Sequence, residues 1–405
     1  MNSLPQQLLS SRAALSRLFE PSDSMGLALV AAAGPVDALR IATGGLRPGA
    51  SLLHGVLQEA AEGGLAASAT DFTEALRRWQ PRIAGLAPER DLQTVARLGG
   101  RLLIPEDPQW PASLVDLGSA MPLCLWLRGK SGDGLPDGRR TVAVVGSRDA
   151  TSYGLSVAGE MSAGLVARGY TVVSGGAYGI DAQAHRSALA AAQDSGPSAT
   201  IAVLAGGLDR YYPAGNEDLL RAVAQAGLLV SEVPPGSAPT RWRFLQRNRI
   251  IAALSRVTVV VEARWRSGAL STAHHAATLG REVGAVPGSV YSANSAGCHR
   301  LLRDGSAVCV TDAAEVADLA GPLGSVPDGA DGGRHSGLPP AQHDGLPVED
   351  LLLLDALPLR AGSLPEKLAA VAGLSLPAVR AGLGRLELEG LAERAGTDTW
   401  RRRNR

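Results

Sequence analysis

The chain has 405 residues, 45% of them hydrophobic, and its 39 acidic residues balance 39 lysines and arginines. This apolar content fills the cores of roughly two to four domains, so the composition excludes a disordered protein. Because the net charge is zero, a site for a polyanion must be a local patch of positive charge. The separated cysteines, Cys124, Cys298 and Cys309, form no CxxC pair, which argues against a zinc site or a disulfide framework.

The chain carries no sign of membrane targeting. No basic segment followed by an apolar segment opens it, and no apolar run approaches the roughly 18 to 20 residues that a membrane helix needs. We therefore expect a soluble protein of the reducing cytoplasm.

Residues 1–100 predict a small helical domain of the SAM-like or helix-hairpin-helix-like kind. The segments 8–19 and 67–79 have apolar residues three and four positions apart, and Gly and Pro separate such segments. The sequence GPVDALRIATGG at 34–45 fits a helix-hairpin-helix-like turn that touches a DNA backbone. A plain packed helix pair explains the same sequence more simply.

Residues 101–320 predict a doubly wound parallel sheet of the α/β class, with helices on both faces. Short apolar runs alternate with helical segments such as 153–169 and 216–227. Ligands of such sheets bind at the carboxyl ends of the strands. The predicted strands are 141–147, 171–177, 200–207, 228–233, 257–263 and 282–288.

The rest of the chain predicts a linker and a second domain. Residues 321–347 are rich in Gly, Pro, Asp and Ser, which is typical of a flexible linker. Residues 348–405 predict three helices, a strand and a turn, the pattern of a winged-helix domain, with Ser363 and Ser375 as N-caps. The third predicted helix balances two arginines with two glutamates, which suits a DNA groove poorly. We expect this domain to make auxiliary contacts with duplex DNA or protein.

The sequence RWRFLQRNR at 241–249 contains four arginines and two aromatic residues without a carboxylate. Guanidinium groups pair with phosphates and aromatic rings stack on unpaired bases, so the segment is typical of a nucleic-acid site. Phe244 and Trp242 are the candidate stacking rings, with core packing as the alternative. Some polar residues of this segment are expected to be structural, and Asn248 is a candidate helix cap.

Three glycine turns follow predicted strands at the same edge of the sheet. Their backbone N–H groups and the helix starts behind them are suited to hold phosphates, although tight packing is the alternative for the glycines. For Arg148 the alternative is a surface ion pair with Asp149. The candidate DNA-binding residues of these turns and of segment 241–249 are Gly146, Ser147, Arg148, Gly175, Gly176, Arg241, Phe244, Arg247, Asn248, Arg249, Gly268 and Thr272.

Motifs for catalysis are weak. The sequence GKS at 129–131 lacks the first glycine of a Walker A loop, because Cys124 stands there, and no GxGxxG follows a strand. We therefore expect neither a cofactor nor a metal. The alternative is a nucleotide-binding enzyme of the phosphoribohydrolase type, in which Asp181 or Glu262 serves as the acid.

Seven segments of residues 101–320 together resemble the DNA-processing protein A family (DprA, also called Smf): VVGSR, VVSGGAYGIDAQAH, TIAVLAGGLDRYYP, LLVSEVPPG, FLQRNRIIAALS, VVVEA with SGALSTA, and AVPGS. The resemblance implies a non-enzymatic protein with an extended Rossmann-like domain that binds and protects single-stranded DNA. It also implies a homodimer that helps to load the RecA recombinase in natural transformation.

The resemblance also places the family's DNA pocket on five positions of this chain. They are Gly146, Ser147, Arg148, Arg241 and Phe244. The chain departs from the family at Leu245, where members usually have proline.

Overall fold

The computed structural model describes residues 5–129, 134–136, 138–192, 198–321, 347–358, 361–396 and 398–403. The chain divides into two compact units, Met1–Leu323 and Gly324–Arg405. Apart from its two end residues, the predicted linker at 321–347 lies outside the described residues.

The first unit begins with five helices, of which the first four share one core. Leu15, Leu29, Phe72 and Trp79 are buried together in this core. The helices are α1 (Gln6–Leu18), α2 (Ser24–Ala42), α3 (Ala50–Glu62), α4 (Ala69–Ile83) and α5 (Pro88–Arg97). The segment at 34–45 contains the kink of α2 at Gly34, where φ is 72°, and the turn into α3, which packs against α2. This arrangement is a packed helix pair.

Helix α2 is long and apolar enough to cross a membrane by length and composition, with a mean hydropathy of 1.5. This finding corrects the expectation that no segment reaches that length. One helix of this kind is only a weak indication of a membrane span, because a core helix of a soluble protein can have the same length and composition. Met25, Leu29 and Ile41 of α2 are buried in the core that α1 to α4 share.

A nine-stranded, mostly parallel sheet follows. All six predicted strands are present, and they end two or three residues earlier than expected. The strands are β1 (Gly100–Leu103), β2 (Leu125–Gly129), β3 (Thr141–Val145), β4 (Thr171–Ser174), β5 (Thr200–Leu204), β6 (Leu228–Ser231), β7 (Val257–Val260), β8 (Glu282–Ala285) and β9 (Val308–Cys309).

The strand order is β1-β2-β6-β5-β4-β3-β7-β8-β9. Strands β3 to β9 run parallel, whereas β2 pairs antiparallel with both β1 and β6. The expectation of a wholly parallel sheet is therefore wrong at this edge. Strands β1 and β2 come before the alternation of strands and helices begins. The pattern that predicts the other strands therefore does not predict these two.

Helices cover both faces of the sheet, as predicted. Ala143 and Val145 of β3 face a core that includes α9 and α10, and Val142 and Val144 face a core that includes α6 and α7. The helices of this region are α6 (Ser152–Ala167), α7 (Ile180–Ala190), α8 (Glu217–Ala226), α9 (Arg241–Leu254), α10 (Gly268–Thr278), α11 (Ala296–Arg303) and α12 (Ala313–Ala320).

The order of the strands reverses between β3 and β7. Strands β4, β5 and β6 follow β3 on one side, and β7, β8 and β9 lie on the other side. At such a reversal the loops after the two central strands diverge and leave a crevice at the carboxyl ends of the strands. The topology therefore predicts a ligand site beyond the ends of β3 and β7.

The described part of the second unit contains three helices and a two-stranded antiparallel hairpin. They are α13 (Val348–Ala356), α14 (Pro365–Ala372), α15 (Leu376–Leu388), β10 (Ala392–Arg394) and β11 (Trp400–Arg402). These elements follow the predicted order, and assignment to the winged-helix class stays a prediction. Ser375 caps α15 as expected. Ser363 does not cap α14, because its backbone instead pairs with Trp400 in an isolated bridge.

Gly179 fixes the turn between β4 and α7 against the turn after β3. Its φ is 73° and its ψ is −124°, and a Cβ at this position would overlap the carbonyl oxygen of Ser147. We expect Gly179→Ala to lower the free energy of unfolding by about 3 kcal/mol or more, because both the backbone conformation and the available space exclude a side chain. Urea denaturation followed by circular dichroism measures this loss.

Gly268→Ala is the matched control, because Gly268 is exposed and a Cβ there meets nothing within 4 Å. Its free energy of unfolding should stay within about 0.5 kcal/mol of the parent value. Equal losses in the two variants would contradict the packing role of Gly179.

Candidate nucleic-acid interface

An open cavity of about 570 Å³ lies where the topology predicts a ligand, at the carboxyl ends of β3 and β7. We call it the β3–β7 cavity. Its walls come from the turn after β3, the first half of α9 and the loop from β7 into α10. Nine of the predicted site residues line it: Gly146, Ser147, Arg148, Arg241, Phe244, Arg247, Asn248, Gly268 and Thr272.

The remaining three predicted residues lie outside this wall. Gly175 lines a neighbouring cavity of about 220 Å³, which shares Tyr212 and Phe244 with the β3–β7 cavity. Gly176 and Arg249 line neither of the two cavities.

Phe244 and Arg148 form the centre of the cavity wall. The guanidinium carbon of Arg148 lies 5.0 Å from the centroid of the Phe244 ring, within the range of a cation–π contact. The Tyr212 ring lies 5.8 Å from the same centroid. Phe244 is half-buried at the cavity and Arg148 is exposed. The two side chains therefore place an aromatic face and a positive charge beside each other on an accessible surface.

The alternative interpretation of Arg148, an ion pair with Asp149, is not observed. Asp149 instead accepts from Arg264, with 2.5 Å between Nη2 and Oδ2. Arg264 also donates to Asn294 through its Nε at 2.8 Å. The charge of Arg148 is therefore available to a ligand.

Helix α9 begins at Arg241 because Thr240 caps it, with its side chain accepting from the N–H of Arg243 at 3.2 Å. No acidic residue occupies the first turn. The helix dipole makes the potential at a helix N-terminus positive, and the arginines at this end of α9 make it more positive. Arg241 is exposed, and the described part of the chain supplies no carboxylate to pair with it. This end of α9 therefore attracts anions.

The N-terminal helices hold the start of α9 in place. Arg243 donates from Nε and Nη2 to the two carboxylate oxygens of Glu20, at 2.9 and 3.1 Å. The indole N–H of Trp242 donates to the carbonyl of Pro21 at 3.2 Å. Both contacts come from the connection between α1 and α2. Trp242 is nevertheless 50% exposed, so its ring does not belong to the core.

Two arginines of the RNR sequence are buried and serve the fold. Arg247 is 7% exposed and donates from Nη1 to the carbonyls of Gly175, at 2.7 Å, and of Val203. Burial lowers its pKa to about 10. Arg249 is 2% exposed, binds both oxygens of Glu232 at 2.6 and 2.8 Å and donates to a backbone carbonyl at 3.0 Å. The structure gives Arg249 no access to a phosphate.

Asn248 lies in the middle of α9, so the prediction that it caps this helix is wrong. The helix begins eight residues earlier than that prediction requires, because Thr240 provides the cap. Asn248 instead donates from its side-chain amide to the carbonyl of Gly268 at 3.2 Å. This bond ties α9 to the start of α10 across the floor of the cavity.

The glycine turn after β4 supports the packing alternative. The N–H of Gly175 donates to the carboxylate of Asp181 at 3.2 Å, and its carbonyl accepts from Arg247. A Cβ on Gly175 would overlap the Arg247 guanidinium, and one on Gly176 would meet Leu220 at 3.0 Å. The polar groups of Gly175 are therefore engaged inside the protein.

Part of the helix start after β3 is already occupied within the protein, because the N–H groups of Thr151 and Gly154 donate to protein side chains. The Glu262 carboxylate already occupies it, accepting from the N–H of Thr151 at 2.9 Å and from its hydroxyl at 2.6 Å. Gly154 in the first turn of α6 leaves room for this carboxylate. The start of α10 is different, because Gly268 is exposed there and Thr272 lines the cavity.

Three cavity residues, Tyr212, Arg264 and Arg266, are not among those predicted from the sequence. The sequence does indicate Arg264 and Arg266, because the sequence RWR of 241–243 occurs again at 264–266, shortly after the strand β7. Tyr212 carries no such signal. It reaches the cavity only through the packing of the segment after β5.

Asp181 is the acidic residue in the described wall of the cavity. Burial raises the pKa of its carboxyl group, and the nearby Arg247 charge opposes the shift. A raised pKa favours the neutral acid, so Asp181 repels an anion less than an exposed carboxylate would. No group of three or more His, Cys, Asp and Glu side chains among the described residues is arranged to hold a metal ion.

Comparisons with known proteins agree with this geometry. The model of the family described as DNA recombination-mediator protein A matches residues 101–321. The chain is 45% identical to a putative DNA processing protein DprA of Mycobacterium tuberculosis over 315 residues, which cover 75% of this chain and 77% of that protein. It is 34% identical to DNA processing protein DprA of Bacillus subtilis over 226 residues, 56% of this chain and 71% of that protein.

The fold also has a counterpart of known structure. The X-ray structure of DNA processing protein A from Streptococcus pneumoniae aligns with a TM-score of 0.55 at 27% identity, covering 78% of this chain and 98% of that chain. The matched family model spans the whole sheet region, including the turns and the helix that form the β3–β7 cavity. The chain therefore belongs to the DNA recombination-mediator protein A family.

Proposed function

We propose that this protein binds single-stranded DNA in the β3–β7 cavity, protects it, and helps to load the RecA recombinase onto it, as in natural transformation. The observation that carries the proposal is the pairing of Phe244 with exposed Arg148, beside the exposed Arg241. A nucleobase stacks on the ring while the guanidinium groups hold the flanking phosphates.

The shape of the site favours a single strand over a duplex. The ring of Phe244 is recessed in a concave cavity, and the bases of a duplex are already stacked on each other and cannot reach it. Duplex readers instead insert a helix or a ribbon into a groove. Stacking on an aromatic face accepts every base, so binding should depend little on sequence.

The phosphates have several positive groups within the same wall. Arg148, Arg241 and Arg266 are exposed guanidinium groups, and α9 and α10 direct their N-terminal ends toward the cavity. Helix N-termini and guanidinium groups both stabilise bound phosphate. Binding that relies on such groups weakens as salt concentration rises, because each bound phosphate releases a counterion.

The further elements of the proposal are RecA as a protein partner, a homodimer formed through the sheet-containing unit, and a cytoplasmic location. Family membership supports them. Strand exchange by RecA, measured with and without this protein, tests the first, and sedimentation tests the second. For the second unit we propose an auxiliary contact with duplex DNA or protein.

We propose that the protein acts by binding and has no enzymatic activity of its own. Of the two acids that a phosphoribohydrolase mechanism would use here, Glu262 is 2% exposed and is bound to Thr151 at the start of α6. Asp181 binds the N–H of Gly175. Incubation with mononucleotides should release no free base, and base release that Asp181→Asn abolishes would establish the enzyme instead.

Replacing Arg148 or Arg241 with alanine should weaken binding to a dT oligomer by about tenfold, because each change removes a guanidinium group that holds a phosphate. The slope of log affinity against log salt should become shallower by about 0.7 for each phosphate that the variant no longer neutralises. Fluorescence anisotropy over a salt series measures both quantities.

Phe244→Ala should also weaken binding by about tenfold but should leave the salt slope unchanged, because a stacked ring carries no charge. Arg77→Ala is the matched control, because Arg77 is exposed on α4 and does not line the cavity. Parent affinity in the Arg148, Arg241 and Phe244 variants would exclude the β3–β7 cavity as the DNA site.

Arg249→Ala should act on stability. Its removal leaves the buried carboxylate of Glu232 without a partner, which should lower the free energy of unfolding by about 3 to 5 kcal/mol. Thermal unfolding without DNA measures this decrease. Arg148→Ala is the control, because it removes an exposed arginine and should leave the stability unchanged. A stable Arg249→Ala protein with weakened, less salt-dependent DNA binding would instead assign Arg249 to the phosphates.

A further inference from the structure

The sequence RWR occurs twice, at 241–243 and 264–266, and both copies supply arginines to the wall of the β3–β7 cavity. The first copy starts α9 and the second lies in the loop between β7 and α10. In the first copy, Trp242 is 50% exposed and its indole N–H donates to the carbonyl of Pro21. The tryptophan of the second copy is similarly exposed, but its ring contacts an arginine.

Trp265 is 53% exposed, and its ring is in contact with Arg300 of α11. The guanidinium carbon of Arg300 lies 5.1 Å from the centroid of the ring. A cation–π contact at this distance orients an exposed ring without burying it. Tryptophan is buried to a large extent in most proteins, so a ring that is held in place yet exposed is suited to a ligand.

The surroundings of Trp265 are basic. Arg264 and Arg266 flank it in the chain and both line the β3–β7 cavity. Arg264 pairs with Asp149 and Arg300 pairs with Asp304 at 3.4 Å, whereas no carboxylate in the described residues pairs with Arg266. This loop therefore carries an exposed aromatic ring and, at the next residue, an unneutralised guanidinium group, the same two kinds of group that Phe244 and Arg148 provide in the cavity.

We propose that Trp265 is a second base-stacking position, so that a DNA strand with one base on Phe244 continues along the loop after β7. A further base stacks on the indole of Trp265, and Arg266 holds a phosphate between the two positions. This inference rests on the proposed function, because it extends the same binding site. It gives the second RWR sequence a direct role in holding the ligand.

Two observations favour a nucleic-acid strand over a protein as the occupant of this loop. The loop adjoins the cavity, since Arg264 and Arg266 line it, while the ring of Trp265 lies just outside this lining. The neighbouring side chains are three arginines, two of them paired, which gives the positive charge that a phosphate backbone requires. Stacking on a flat indole also preserves the tolerance for base sequence that the first position has.

The test compares Trp265→Ala, Trp265→Phe and Arg266→Ala with the parent protein in binding to a dT oligomer of about 20 nucleotides, over a salt series. Trp265→Ala should weaken binding by about tenfold with an unchanged salt slope, because this change removes only stacking. Trp265→Phe should retain most of the affinity. Arg266→Ala should weaken binding and flatten the slope.

Tryptophan fluorescence gives a readout that folding effects do not imitate. DNA should quench the emission of the parent protein, and Trp265→Phe should lose much of this quenching while it still binds. Val115→Ala, which truncates an exposed apolar side chain outside the cavity wall, is the control for surface changes and should behave as the parent.

The inference would be overturned if the Trp265 variants bound DNA with the affinity and the quenching of the parent protein. If Arg148→Ala weakened binding in the same series, the proposed function would still hold. If the parent protein bound no dT oligomer, the proposed function would fail first. Unchanged DNA affinity of Trp265→Ala together with abolished stimulation of RecA would assign the ring to a protein partner and also overturn the inference.

Discussion

The candidate site depends on one buried cation. The guanidinium group of Arg247 bonds to the carbonyls of Gly175 and Val203, at the ends of β4 and β5, and lies near the carboxyl group of Asp181. A buried charge is tolerated only where such partners surround it, so these bonds fix the position of α9 against the sheet. The ring of Phe244 lies 5.9 Å from this guanidinium group. The ring of Phe244 therefore lies on a buried charge that is bonded to the ends of the strands.

Helix periodicity then divides the basic segment between the ligand and the fold. Arg241, Phe244, Leu245 and Asn248 recur at intervals of three and four residues and line the cavity on one side of α9. Arg243 and Arg249 lie on other sides, where Glu20 and Glu232 neutralise them. Of the four arginines in these nine residues, only Arg241 at the helix start is exposed. Most of the arginines that suggest a DNA site in the sequence therefore stabilise the position of α9.

The location of the site could be predicted from the sequence, but the role of each arginine could not. The apolar runs ending at Val145 and Val260 identify β3 and β7, and parallel sheets bind ligands beyond such strand ends. The burial of Arg249 depends on Glu232, a carboxylate 17 positions away that local patterns do not connect with it. The antiparallel β1 and β2 and the failed cap at Ser363 likewise depend on pairing partners distant in sequence. The second RWR sequence at 264–266 can be recognised in the sequence. Its location at the cavity follows once the position of β7 is known.

The start of α6 bears on which ligand the cavity takes. In dinucleotide-binding sheets the pyrophosphate lies at the N-terminus of the helix after the first strand. Here the carboxylate of Glu262 occupies that place and satisfies Thr151, which caps the helix. A phosphate there would meet a negative charge, so the anion-binding part of the cavity moves to the starts of α9 and α10 and to the side chains of Arg148 and Arg241. Charges spread along a wall in this way, with aromatic rings between them, suit successive phosphates of a polymer better than the compact pyrophosphate of a nucleotide cofactor.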